Sequence, residues 1–129
     1  MNVVDSSGWL EYFADGANAE AFAAPIQQAN ELLVPSITIV EVFKRVLQQR
    51  GEQAALQAAA HMKQGHVVSL DADLAMKAAK VGYEFKLPLA DGIILATAQA
   101  YGALLWTQDE DFTHIAGVRY VPKAAPHAH

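Results

Sequence analysis

Five carboxylates stand at positions from which acid chemistry can be done: Asp5, Glu41, Asp91, Asp109 and Asp111. Asp5 directly follows the apolar run NVV, and Asp109 and Asp111 follow ALLWT. Asp91 sits early in LADGIILATAQA, and Glu41 sits inside ITIVEVFKRV. Two carboxylates about 5 Å apart repel by roughly 3 kcal/mol at an effective dielectric near 20, so a gathering of four demands protons or cations between them. Ligands that offer oxygen alone suit hard ions, Mg²⁺ or Mn²⁺. Such ions lower the pKa of a water, aim it at phosphorus and neutralise the leaving oxygen.

The elements that must position these acids are short. Apolar runs at 2–4, 32–34, 66–70, 103–107 and 118–121 read as strands, with helical patterns at about 7–13, 18–29, 37–50, 52–64, 71–84 and 89–101 between them. Gly51 and Gly65 punctuate the middle helices. Strands alternating with helices predict an α/β fold, a mostly parallel central sheet of about five short strands with helices on both faces. Strands apolar throughout fit a sheet covered on both sides, and Arg119 with Pro122 mark the last strand as an edge. In open α/β sheets, ligands bind beyond the carboxyl ends of the strands. If the strands before Asp5 and Asp109 are central and parallel, those acids meet at one rim. Asp91 has Ile94, Leu95 and Ala98 at i+3, i+4 and i+7, an apolar stripe that places its carboxylate at the edge of the core.

Each acid also has a plain structural reading. Asp91 suits a helix N-terminus by charge alone. Glu41 can pair with Lys44 and Arg45 on a solvated face, behind a helix start capped by Ser36. Asp5, Ser6 and Ser7 are natural caps for a helix starting at Gly8, and Asp109, Glu110 and Asp111 can form an ordinary acidic turn.

Taken together, VVDSSGWLEYF, ITIVEVFKRV and LPLADGIILATAQAYGALLWTQDEDF resemble a PIN-domain ribonuclease, and more narrowly the VapC toxins of bacterial toxin–antitoxin pairs. The likeness runs over residues 1–121 in order and at matching intervals, which defines a single PIN-like nuclease domain with 122–129 as a frayed tail. It implies that Asp5, Glu41, Asp91 and Asp109 form a catalytic, metal-holding pocket. Asp111 is a further metal ligand or a support for the site. Ser6 and Thr107 match small hydroxyl positions beside it. The implied activity is metal-dependent endoribonucleolytic hydrolysis with Mg²⁺ or Mn²⁺, leaving a 5′-phosphate and a 3′-hydroxyl. The implied partners are an RNA substrate, a cognate antitoxin protein and a second copy in a homodimer. Trp9, Tyr12 and Phe13, at i, i+3 and i+4, are core or the floor of a groove for an antitoxin helix. Lys44, Arg45, Arg50, Lys80 and Lys86 form a positive rim for RNA or an ordinary solvated scatter.

Composition narrows the field. A chain of 129 residues suits one domain, and 53% hydrophobic against 18% charged residues excludes disorder as its main state. The absence of cysteine rules out disulfides, thiolate zinc sites and cysteine nucleophiles. No apolar run reaches the roughly 20 residues needed to span a bilayer, and MNVVDSSGWLEYF lacks a basic leader segment, so the expected location is cytoplasmic. A net charge of −5 argues against binding nucleic acid by excess positive charge alone. Asp71 reads as the cap of LDADLAMKAAK, and the terminal His127 and His129 as tail. No Gly-rich phosphate loop or G-x-S-x-G elbow is present. A receiver-like domain would need a lysine at the end of LLWTQDED, and a D-x-D-x-T phosphatase fails because Ser-Ser-Gly follows Asp5. The remaining alternative is a non-catalytic PIN-like module that binds RNA or a partner protein.

Overall fold

The computed structural model describes residues 1–124. The tail expected over 122–129 falls outside them from 125 onward, as do His127 and His129; residues 122–124 carry no regular element. Five short strands form one sheet: β1 (Asn2–Val4), β2 (Leu32–Pro35), β3 (His66–Val68), β4 (Leu104–Thr107) and β5 (Val118–Tyr120). Their order is β3-β2-β1-β4-β5, every pair parallel. β1 is therefore central and β4 lies beside it, with Val4 in register with Trp106. Asp5, one residue past β1, and Asp109, two past β4, consequently share a rim.

Parallel pairing requires crossovers, and helices supply them. These are α1 (Ser6–Phe13), α2 (Ala19–Ile26), α3 (Ser36–Arg50), α4 (Glu52–Met62), α5 (Ala72–Phe85) and α6 (Leu89–Ala100). Alternate residues of the central strands point to opposite layers. Val4, Leu32 and Val34 pack with Trp9, Phe22 and Met62 on one side, while Val3, Leu33 and Leu105 pack with Ile94, Leu95 and Phe112 on the other. The expected α/β sheet with helices on both faces is what forms.

Three local expectations are corrected. β3 is apolar but not covered, because it is an edge strand: His66 and Val67 are exposed and Val68 only half-buried. Ser36 does not cap α3. Pro35 occupies the cap position as the last residue of β2, so strand passes straight into helix and Ser36 is already helical. The first helix begins at Ser6 rather than near Gly8, because Asp5 caps it by accepting from the Gly8 N–H. Asp71 does cap α5, through the Leu74 N–H at 2.9 Å. β5 is the edge strand the sequence predicts.

The helix carrying Asp91 packs closely on its neighbour through glycine. A Cβ on Gly92 would lie 3.2 Å from both the Ala78 carbonyl oxygen and the Gly82 Cα, and neither backbone atom can swing away. Gly92→Ala is expected to force α5 and α6 apart at a cost of about 1–3 kcal/mol, read as a lower urea midpoint at unchanged slope.

Candidate functional site

The strand ends, α3 and the first turn of α6 converge on one acidic cluster. Carboxylate oxygens of Asp91, Asp109 and Asp111 lie within 4.8 Å of one another. Asp91 occupies the first turn of α6, and the following residues Gly92 to Ala98 are buried, which holds the turn against the core. Asp109 caps the short 3₁₀ turn Glu110–Phe112 by accepting from the Asp111 N–H at 2.9 Å, and buried Phe112 pins that turn down. Asp111, the least secure of the five on sequence, thus sits with Asp91 and Asp109.

Asp5 lies beneath, 2% exposed. Its Oδ1 accepts from Ser7 Oγ at 2.7 Å and from the Gly8 N–H at 2.9 Å, and its Oδ2 accepts from Thr107 Oγ1 at 2.6 Å. Burial raises its pKa to about 6. Those three hydrogen bonds oppose the rise, and the Asp109 charge adds to it. Asp91 is pushed to about 7, first by burial, then by the negative charges of Asp109, Asp5, Glu41 and Asp111. That ordering puts all five predicted acids in one electrostatic neighbourhood. The tight oxygen cluster itself comprises three of them.

Glu41 stands at the side, its Oε1 held by Ser6 Oγ at 2.5 Å. The ion pairs that a purely surface role would give it are not formed: among the described residues, the one ion pair joins the Met1 amine to Glu31. Thr107 links two of the acids. Its hydroxyl donates to Asp5 and accepts from the Asp109 N–H at 2.9 Å. Ser6 and Thr107 are therefore the supporting hydroxyls that the sequence marks.

A second layer of support escapes sequence reading. Asn18 Nδ2 donates to Gln108 Oε1 at 3.0 Å and to the Pro122 carbonyl at 2.9 Å, while Glu11 Oε2 accepts from the Asn18 N–H at 2.8 Å. These contacts tie the loop after α1 to the end of β4, one residue before Asp109. Their partners lie 90 or more positions apart in two of the three cases, so no local pattern announces them.

The donor set is all oxygen, clustered and anionic, which fits a hard divalent ion such as Mg²⁺ or Mn²⁺ and not a soft one. Away from the acids, Trp9 is fully buried, and its ring stacks on Phe13 at 5.6 Å with His61 edge-on at 6.1 Å. A groove of about 240 Å³ lies over this cluster between α1, α3 and α4, lined by Leu10, Phe13, Val46, Ala58, His61 and Arg50. Trp9 is thus core, while Phe13 is both core and groove wall. No helix among the described residues is long and apolar enough to cross a membrane.

Comparison with known proteins bears on the family and the fold. A family described as the PIN domain matches residues 3–118. The fold is similar to a toxin–antitoxin complex chain from Klebsiella pneumoniae, with a TM-score of 0.75 and 28% identity over 92% of this chain and 96% of that one. It is also similar to a sarcin-ricin loop cleaving VapC toxin of Mycobacterium tuberculosis, with a TM-score of 0.73 and 19% identity over 90% and 95%. A third similar fold occurs in a VapBC complex of Rickettsia felis bound to promoter DNA, with a TM-score of 0.72 and 14% identity over 94% and 97%. No curated protein sequence is significantly similar to the chain.

Proposed function

Because this chain belongs to the PIN domain family, we propose that it is a metal-dependent endoribonuclease acting as the toxin of a toxin–antitoxin pair. The observation that carries the reading is the clustering of Asp91, Asp109 and Asp111 oxygens within 4.8 Å, with Asp5 and Glu41 close enough to press protons onto Asp91. Carboxylates packed this closely oppose their own ionisation and are relieved by a divalent cation. A divalent ion bound there activates water for attack on a phosphodiester and neutralises charge on the phosphate oxygens.

The chain's own side chains do the rest. Asp91, Asp109 and Asp111 offer the ligand oxygens. Asp5 fixes the floor of the site and, through Thr107, the start of the Asp109 loop. Glu41, oriented by Ser6, is placed at the side to ligate or to take the proton from the attacking water. Ile94, Leu95 and Phe112 are buried, while Asp91, Asp109 and Asp111 keep access to solvent.

Two apolar surfaces support an antitoxin and a second copy of the chain as partners. The groove beside Phe13 and His61 suits the apolar face of an antitoxin helix, and the Klebsiella relative is itself a toxin–antitoxin complex. Val40, Met76, Tyr83 and Leu89, all more than half exposed, leave α3, α5 and α6 with apolar surface suited to a second copy of the chain.

The test is cleavage of total cellular RNA by purified protein in Mn²⁺ or in chelator. Cleavage in Mn²⁺ alone, leaving 5′-phosphate and 3′-hydroxyl ends, is the expected result. A 2′,3′-cyclic phosphate would show that the 2′-hydroxyl attacks and would overturn the hydrolytic assignment. Intact RNA with retained Mn²⁺ binding, after excluding a copurifying inhibitor, would transfer the reading to the non-catalytic binding module.

A further inference from the structure

The chain leaves α5 through a residue in an unfavourable conformation. Lys86 has φ 55° and ψ 46°, the left-handed region, with its N–H bonded to the Gly82 carbonyl. Helices that end this way most often place glycine there, because a Cβ crowds the backbone. The other described non-glycine residue at positive φ is Asp15, whose short polar side chain belongs to the types that enter this region most readily. Lysine has no such excuse.

Position gives the strain a use. Residues 86–88 form the whole connection from α5 to α6, and Asp91 lies in the first turn of α6. α6 runs back across the sheet to feed the parallel strand β4, so its N-terminus, and the connection before it, lie at the strand-end rim that holds the acids. Lys86 is exposed. Among the described residues it pairs with no carboxylate, although the chain is acidic overall and Asp91, Asp109 and Asp111 cluster at this rim. Lys44 and Arg45, beyond Glu41, sit in regular helix and show no comparable local cost.

We propose that Lys86 binds a backbone phosphate of the RNA substrate next to the scissile bond, a contact that holds the strand across the acidic cluster. The proposal rests on the ribonuclease reading given above. Lysine serves here as a point charge on a flexible stem that reaches the phosphate while its ammonium stays clear of the carboxylates. The loop conformation sets the direction of that stem at a cost in stability that glycine would avoid.

Lys86→Gly separates stability from function, since relief of the left-handed cap and loss of the cation act in opposite directions. Its Tm is expected to rise by about 3–5 °C. Its kcat/KM on a single-stranded RNA in Mn²⁺ is expected to fall about tenfold, through KM, with kcat within about twofold of wild type. The log–log salt dependence of binding should become shallower by about 0.7, one phosphate contact on a single strand. Lys86→Arg, which keeps the charge, should retain most of the activity. Anisotropy of a fluorescent single-stranded RNA on the same proteins separates the possible failures. Wild-type cleavage with Lys86→Gly equal to it in KM and salt slope overturns the contact and leaves the nuclease reading standing. A wild type that binds RNA without cutting it, with binding weakened in Lys86→Gly, overturns the nuclease reading and keeps the contact. A wild type that neither binds nor cuts overturns both.

Discussion

Asp91→Asn is expected to reduce RNA cleavage about a hundredfold or more while making the metal-free protein more stable at pH 8. The loss follows from removing one of the three clustered carboxylates proposed to hold the metal. The gain follows from the company Asp91 keeps. Its burial and four neighbouring negative charges raise its pKa to about 7, against the ordinary 3.8. Between those two values the folded protein holds a proton that the unfolded chain has already released. Folding stability therefore falls as pH rises through that window and stays low above about pH 7. Asp5, raised to about 6, works in the same direction over the lower part of the range. Being almost fully buried, Asp5 contributes about 3 kcal/mol of this loss, whereas the half-exposed Asp91 contributes less than its pKa alone implies, because water screens it. Asparagine cannot ionise, so the Tm of Asp91→Asn minus that of wild type should be near zero at pH 4 and several degrees at pH 8. Mn²⁺ should raise the wild-type Tm at pH 8 and do so far less in the variant. A Tm difference that does not change with pH would show that the acids do not press on one another as the geometry requires.

Much of this arrangement is legible in the sequence because the signals are local. NVV and ALLWT are short apolar runs ending in acids, and once β1 and β4 are neighbours and parallel, Asp5 and Asp109 must meet. Asp91 is readable from its stripe of Ile94, Leu95 and Ala98, which becomes the buried face of α6. The resemblance adds Glu41, which periodicity alone leaves on a solvated face, and Ser6 supplies the physical reason that it turns toward the site. What is not legible depends on distant pairings or on backbone conformation. The Asn18–Gln108 bond joins residues 90 positions apart. The edge position of β3, which exposes Val67, depends on sheet order and not on its own residues. The left-handed Lys86 is hidden for a different reason: the residue type points away from the conformation it adopts.

Thr107→Val is expected to cost about 2–4 kcal/mol of stability and to weaken Mn²⁺ binding roughly tenfold to a hundredfold, although it changes no ligand atom. Valine has nearly the shape of threonine, so packing at this fully buried position is preserved and the loss belongs to the hydroxyl. That hydroxyl serves two acids at once, donating to Asp5 Oδ2 at 2.6 Å and accepting from the Asp109 N–H at 2.9 Å. Without it, a buried carboxylate loses a donor, so its pKa rises further, and a backbone N–H near the site loses its acceptor. The Asp109 loop is then free to shift, and with it the 3₁₀ turn that carries Asp111. Thr107→Ser keeps the hydroxyl and loses only a methyl group, so it should recover most of the Mn²⁺ affinity while remaining slightly less stable than wild type. Calorimetric titration with Mn²⁺ across the three proteins distinguishes the hydroxyl from the methyl group. Equal affinities in Thr107→Val and wild type would mean that the acid loops hold their places by packing alone. In that case Phe112, fully buried under the same turn, becomes the residue that sets them.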